Sequence, residues 1–355
     1  MSPRRCSLIT VLIEENRALA PFTTFGIGGP ARWFVQARSE DEVIDAAAWA
    51  REKGEPLFVL GGGSNLLVAD RGFDGLVLHI ALRGVESEDD ASQRVFRVSA
   101  GEDWDGFVQR AIADNCAGIE CLAGIPGTVG GTPVQNVGAY GQEVSSVIER
   151  VRAIDLHNGA AVEFANADCA FAYRKSRFNT NDRGRYAVTR VDYRLQPGGA
   201  PTLRYADLQR AFAGSAQPTL AQVAEAVRRI RQSKGMLLVE GDPDCRSAGS
   251  FFKNPVVSAA QAARIAAIAG KEPPHFPASH DGLVKLPAAW LIQQAGFAKR
   301  FTMGAAAVSS RHTLALINRG NATAADMMVL ADCIRAAVDD RFGIQLEREP
   351  VLLGF

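Results

Sequence analysis

At 355 residues the chain is longer than a typical domain of roughly 150 residues and has room for two or three buried cores. Apolar residues make up 47% and charged residues 22%, while Lys+Arg and Asp+Glu number 39 each, so the chain folds and has no net charge with which to gather nucleic acid or an anionic membrane. An anionic ligand must be held by a local basic site. The six cysteines (Cys6, Cys116, Cys121, Cys169, Cys245, Cys333) show no C-x-x-C and no zinc-like grouping with histidine, which leaves reduced thiols in a cytoplasm and no metal site as the expectation. The five histidines are dispersed, against a Ser/His/Asp hydrolase. Arg4, Arg5 and the apolar run Leu8 to Ile13 are followed by Glu14 and Glu15, too soon for a signal peptide, so no export is expected.

In chain order, a helix is predicted from Glu42 to Lys53, a strand from Leu57 to Leu60, a glycine loop at Gly61 to Asn65, strands at Leu76 to Ile80 and Val95 to Ala100, and a helix from Trp104. Val151 to Leu156 and Ala161 to Phe164 flank His157-Asn158-Gly159, a hairpin signal, and Tyr186 to Leu195 reads as another strand. Gln196 to Pro201 strings together punctuating residues and marks a boundary. Beyond it come a helix capped by Thr219 and Gln222 and running to about Lys234, one from Ser258 to a terminal Gly270, one beginning near Pro287, and a last from Thr323 to Phe342 with Met327, Leu330, Ile334, Val338 and Phe342 on one face. The uncharged stretch Cys121 to Gln142 carries Pro126, Pro133 and many glycines, so it forms a loop system and not a membrane span.

Glycine-rich loops let main-chain N–H groups wrap a pyrophosphate, because the absent Cβ allows close approach. Two occur here, Leu60 to Asn65 and Ala123 to Thr132, and neither fits the G-x-x-x-x-G-K-[ST] of a nucleoside triphosphatase. Gly26 to Ala31 matches a loose dinucleotide fingerprint, yet Arg32-Trp33-Phe34-Val35 reads as a strand where that fingerprint needs a helix.

The blocks Thr24 to Gly29, Leu60-Gly-Gly-Gly-Ser-Asn65, Ile125-Pro-Gly-Thr-Val-Gly130, Gln135-Asn-Val-Gly-Ala-Tyr-Gly141, Tyr173 to Phe178, Ala248-Gly-Ser-Phe-Phe-Lys-Asn-Pro255 and Leu346-Glu-Arg-Glu349 occur in this order along nearly the whole chain. Together they resemble the bacterial UDP-N-acetylenolpyruvoylglucosamine reductase family of flavoenzymes. The resemblance implies an α+β fold: a two-part FAD-binding unit of the vanillyl-alcohol-oxidase/PCMH type, in residues 1–82 and 83–200, with a C-terminal α/β substrate-binding domain in 201–343 and the tail 344–355 returning to the first part.

The resemblance further implies non-covalent FAD with NADPH as co-substrate. The cofactor would meet Gly62, Gly63, Ser64 and Asn65 in the first loop, Gly127, Thr128, Gly130 and Gly131 in the second, and Gln135, Asn136, Gly138 and Tyr140 beside its ring. A bulky side chain at Gly63 or Gly130 is expected to occupy ligand space. Hydride would pass from NADPH through the flavin to C3 of an enolpyruvyl sugar nucleotide. Arg174 and Glu349 would stabilise the enolate form of its carboxylate and Ser250 would protonate C2; Tyr205, Lys234 and Asn254 would hold the diphosphate. The link Gly235 to Ser247 is longer than the family's, and Pro350 replaces a common valine. The expected partners are the small-molecule substrates, with no membrane or nucleic acid, and a monomer is the expectation. The competing readings are another FAD oxidase or dehydrogenase of the same fold, acting on a sugar or 2-hydroxy acid, and a flavin-binding module without activity.

Overall fold

The computed structural model describes residues 11–90, 92–214, 217–277 and 282–355; Arg4, Arg5, Cys6 and the start of the run at Leu8 lie outside them. Contacts divide the chain into two units, each discontinuous in sequence: Met1–Arg17, Ala31–Gly62 and Phe73–Ile230 form one, and Ala18–Pro30, Gly63–Gly72 and Arg231–Phe355 the other.

In the first unit the strands Pro30–Ala37 and Leu57–Leu60 both pair in parallel with Phe73–Ile80, whose Leu76, Val77 and Leu78 are fully buried. Helix Glu40–Lys53 makes the crossover. Ser39 caps it by accepting from Glu42 N–H, acidic residues fill its first turn, and Gly54 ends it at φ 69°, so its ends are chemically fixed. Val43, Ala46, Ala47 and Ala50 supply its buried face. A second, antiparallel sheet runs in the order Ala161–Ala165, Ile148–Asp155, Tyr186–Pro197, Gln93–Ser99, Val85–Asp90. The Asn158-Gly159 turn joins its first hairpin as expected, with Gly159 at φ 76°. The edge strand Val85–Asp90 has no apolar alternation and was not legible; ion pairs Arg97–Glu88 and Arg94–Asp89 hold it, and its charge blunts the sheet edge.

Helix Trp104–Ala113, capped by Asp103, packs Trp104 and Phe107 onto Phe96 and Tyr193. Glu40 ties the first helix to the second sheet by a two-point pair with Arg152, both contacts 2.8 Å, and the Arg152 hydrogen bond holds its carboxyl below the ordinary range. Helix Leu220–Ser233 carries the expected Thr219/Gln222 reciprocal cap and adds Val223 and Val227 to this same core. Residues 201–230 therefore cluster with the first unit.

The second unit is built on helix Ala324–Phe342, which buries Met327, Leu330, Ile334, Val338 and Phe342 as its periodicity predicts. Thr323 and Asp326 form a capping box, and the Asp70 carboxylate accepts from Ala324 N–H at 2.7 Å and Ala325 N–H at 3.0 Å, where the helix dipole favours negative charge. Strands Thr302–Met303, Ala306–Val308 and Leu316–Asn318 form one small antiparallel sheet; Val256–Ser258, Leu283–Lys285 and Phe276–Pro277 form another. The tail strand Val351–Leu353 pairs in parallel with Leu66–Val68, so the C-terminus returns to residues 63–72.

Among the described residues the five cysteines are free, with the Cys169 thiol pushed up to about 12 and Cys121 higher still, both by burial, which makes them unreactive. No described helix is long and apolar enough to cross a membrane, and no group of metal-ligating side chains occurs among the described residues.

Candidate functional site

In the first unit the two glycine loops lie against each other. A Cβ on Gly62 would stand 2.6 Å from the Gly127 Cα, so only glycine permits the approach there, and one on Gly61 would be tight at 3.0 Å from Thr128 Oγ1. Among the described residues the N–H groups of Gly62, Gly127 and Thr128 donate to no main-chain carbonyl, and the buried Thr128 hydroxyl has no partner. Three amides and an orphaned hydroxyl on adjoining turns fit a phosphate group, as FAD requires. Gly130 is held by packing: its N–H donates to Ala100 O at 2.9 Å and a Cβ there would stand 2.6 Å from the Ala100 Cβ. Its neighbour Gly131 is exposed, and a Cβ there would meet nothing within 4 Å.

The turn that follows is held in strained backbone. Asn136 (φ 44°), Tyr140 (φ 49°) and Arg174 (φ 56°) all occupy the left-handed region, which is uncommon for non-glycine residues other than asparagine. Asn136 locks the turn with its side chain: Nδ2 donates to Glu143 Oε2 at 3.0 Å and Ala172 O at 3.1 Å, and Oδ1 accepts from Ser145 N–H. Its carboxamide is thus a strut, and Gln135 beside it is half-buried. Arg174 is also half-buried and donates through Nη2 to Gly138 O at 2.9 Å, so it belongs to the turn and not to a solvated surface. The Tyr140 ring meets Tyr205 edge-on, centroids 5.2 Å apart at 87°. The structure therefore brings Asn136, Gly138, Tyr140, Arg174 and Tyr205 together.

In the second unit Gly63, at φ 59°, would drive a Cβ into the Phe22 carbonyl, and that contact requires glycine there. Ser64 O lies 3.3 Å from the Thr24 hydroxyl. Asn65 Nδ2 donates to Glu349 O at 3.2 Å, and Val351 N–H donates to Asn65 O at 2.9 Å. Ser250 to Phe252 form an extended strip: Ser250 bridges Ala315, Phe251 N–H donates to Leu314 O, and Glu349 N–H donates to Phe251 O at 2.9 Å. Ser250 and Glu349 are thus half-buried on adjoining strips above the buried Phe251 and Phe252. Pro350 does not disturb this, because the ladder uses the N–H groups of Glu349 and Val351 on either side of it. Lys253 pairs with Glu347 at 2.5 Å.

Lys234 follows helix Leu220–Ser233 and lies near His312, whose imidazole is brought down to about 4 by burial and then by the charges of Lys234 and Lys299. His312 Nδ1 accepts from Leu314 N–H at 3.1 Å, which places the proton of the neutral ring on Nε2. The long link 235–247 is pinned: Asp244 Oδ2 accepts from Ser309 Oγ (2.9 Å) and Ser310 Oγ (2.8 Å), while Arg311 pairs with Asp242 at 2.7 Å and donates to Gln232 O at 2.9 Å. Sequence reasoning missed Asp242, Asp244, Arg311 and His312; the Asp-Pro-Asp turn was the available signal. Asn254 Oδ1 accepts from Ala288 N–H at 2.9 Å at the start of helix Ala288–Gln294, which leaves Nδ2 for a ligand.

Two family profiles match the chain, an FAD binding domain over residues 31–165 and the C-terminal domain of UDP-N-acetylenolpyruvoylglucosamine reductase over residues 242–353. Curated proteins named UDP-N-acetylenolpyruvoylglucosamine reductase are similar throughout: that of Streptomyces coelicolor is 48% identical over 96% of this chain and 90% of its own length, and that of Thermobifida fusca 46% identical over 98% and 99%. The crystal structure of the UDP-N-acetylenolpyruvylglucosamine reductase from Thermus caldophilus superposes with a TM-score of 0.66 at 26% identity, covering 97% of this chain and 98% of that one.

Proposed function

Because the chain belongs to the UDP-N-acetylenolpyruvoylglucosamine reductase family, we propose that it reduces the enolpyruvyl ether of UDP-N-acetylglucosamine to UDP-N-acetylmuramate, a peptidoglycan precursor, with FAD as cofactor and NADPH as co-substrate. Bound FAD would supply the hydride-carrying chemistry between NADPH and C3 of the enolpyruvyl group. Gly62, Gly127 and the Thr128 hydroxyl bind its pyrophosphate in this reading; Gly63, Ser64, Asn65, Gly130 and Gly131 shape the loops around it. The strained turn of Gln135, Asn136, Gly138 and Tyr140 orients its ring. No histidine stands at a matched position to attach the flavin, so it dissociates.

In this reading Arg174 supplies positive charge to the substrate carboxylate as negative charge develops on it, Glu349 in its protonated form donates a hydrogen bond to the same group, and Ser250 gives its hydroxyl proton to C2. Tyr205, Lys234 and Asn254 Nδ2 hold the diphosphate. The observation that carries the reading is that the strip bearing Ser250 lies against the strip bearing Glu349, joined by Glu349 N–H to Phe251 O, an arrangement that a sugar oxidase of the same fold does not need. In functional terms residues 1–82 with 344–355, and 83–200, make up the FAD-binding parts and 201–343 the substrate part. This cuts across the contact-defined units, since 63–72 packs with the C-terminal residues and 201–230 with the first unit. Free cysteines among the described residues and a nicotinamide co-substrate favour a cytoplasmic enzyme.

One flavin serving two anionic ligands in turn gives ping-pong kinetics, with each substrate inhibiting at high concentration. Intersecting double-reciprocal lines, the mark of a ternary complex, would refute the alternating use of one pocket.

A further inference from the structure

Glu120 is fully buried at 0% exposure, in a short 3-10 turn, and no arginine or lysine pairs with it among the described residues. Its carboxylate is satisfied by three neutral donors instead: Gly118 N–H to Oε2, and both Gln142 Nε2 and Thr202 N–H to Oε1, each at 2.8 Å. Gln142 completes the knot, since its Oε1 accepts from Cys121 N–H at 2.8 Å and its Nε2 lies 3.2 Å from Thr202 Oγ1. A buried carboxylate without a countercharge is unfavourable unless such donors surround it, and no neutral side chain of the same size accepts all three bonds.

The chain segments joined at that one oxygen are the arms that end in Tyr140 and Tyr205. Gln142 follows Tyr140 by two residues and Thr202 precedes Tyr205 by three, and the two rings meet edge-on at 5.2 Å. We propose that Glu120 is a positioning residue for the reduction, its carboxylate fixing the arm that carries Tyr205 against the arm that carries Tyr140. The proposal rests on the reading above in which Tyr205 binds the sugar nucleotide. Glu120 touches no substrate; it acts by holding the phenol where the diphosphate meets it.

Glu120→Gln keeps the size but turns one acceptor into a donor that faces N–H groups. Calorimetric titration of the FAD-loaded enzyme with UDP-N-acetylmuramate should show its Kd raised about tenfold, with the FAD content unchanged and the rate of flavin reduction at saturating NADPH within about twofold of wild type. Thr202→Val, which removes only the hydroxyl at the edge of the knot, should raise the Kd about threefold and serves if Glu120→Gln does not fold. In Tyr205→Ala the Kd should already be raised, and adding Glu120→Gln, or Thr202→Val, should raise it no further. A lowered Tm with an unchanged Kd would reduce Glu120 to a structural role and overturn the proposal. So would effects that multiply independently of Tyr205. Tyr205→Ala without any change in Kd would remove the substrate role of Tyr205 itself, and the positioning role with it.

Discussion

The turn Gln135–Gly141 with Arg174, and the strip Ser250–Pro255 with Glu349, hold their side chains by opposite means. The first carries left-handed residues, Asn136 and Tyr140, and is tied by the Asn136 carboxamide and by the Arg174 guanidinium on Gly138 O, so Asn136 and Gly138 matter for the shape of the backbone. The second is extended main chain, bonded N–H to carbonyl on both sides beside two buried phenylalanines, and among the described residues that ladder is made by main-chain groups and not by the Ser250 hydroxyl. Substitutions in the turn should disturb geometry and chemistry together. Substitutions of side chains on the strip should separate them.

Ser250→Ala probes the strip most sharply. The fold and FAD content should survive, NADPH should reduce the flavin at the wild-type rate, and reoxidation by the enolpyruvyl sugar in single-turnover mixing should slow by roughly a hundredfold to ten-thousandfold, the worth of a positioned acid. Reoxidation at the wild-type rate would take Ser250 out of the chemistry and remove the contrast.

The glycine loops allow the same separation on a smaller scale. Gly63→Val meets the Phe22 carbonyl at φ 59° and should lower stability by more than about 2 kcal/mol, read as a drop in the Tm of FAD-free protein. Gly131→Val meets open space and should leave that Tm within the scatter of surface substitutions while raising the Kd for FAD about tenfold. Equal effects on Tm would show that both glycines serve only the fold.

The smallest effect concerns His312, whose folded-state value of about 4 lies below its ordinary 6.5. The unfolded chain then binds the proton more readily, so this group's contribution to stability is present above about 6.5 and is lost as pH falls toward 4. If Lys234 holds a diphosphate, UDP should offset the lysine charges and raise the His312 value by less than about one unit, because burial is the larger cause and remains. An NMR titration of the ring with and without UDP reads this directly; no change on UDP binding would move the diphosphate away from Lys234.

Much of this was legible in the sequence. Helices with caps and apolar stripes, such as Ala324–Phe342 with Thr323 and Gly343, follow from local chemistry, and so does the Asn158-Gly159 hairpin. The edge strand Val85–Asp90 was not, because it is held by cross-strand ion pairs that leave no apolar period. At the site, glycine clustering marked the loops but could not separate Gly130, which packs on Ala100, from Gly131, which faces open space; that depends on contacts distant in sequence. The left-handed Tyr140 and Arg174 carry no composition signal at all, and the Asp244–Ser309–Ser310 knot joins residues 65 and 66 positions apart.

The central claim, a flavin reduced by NADPH and reoxidised by an enolpyruvyl sugar nucleotide, is tested most directly by the visible spectrum of the purified holoenzyme without oxygen. NADPH should bleach the flavin band, and UDP-N-acetylglucosamine enolpyruvate added next should restore it in full, with one UDP-N-acetylmuramate formed per flavin. A band that NADPH never bleaches, or one that bleaches and is restored by oxygen but not by the enolpyruvyl sugar, would contradict the account.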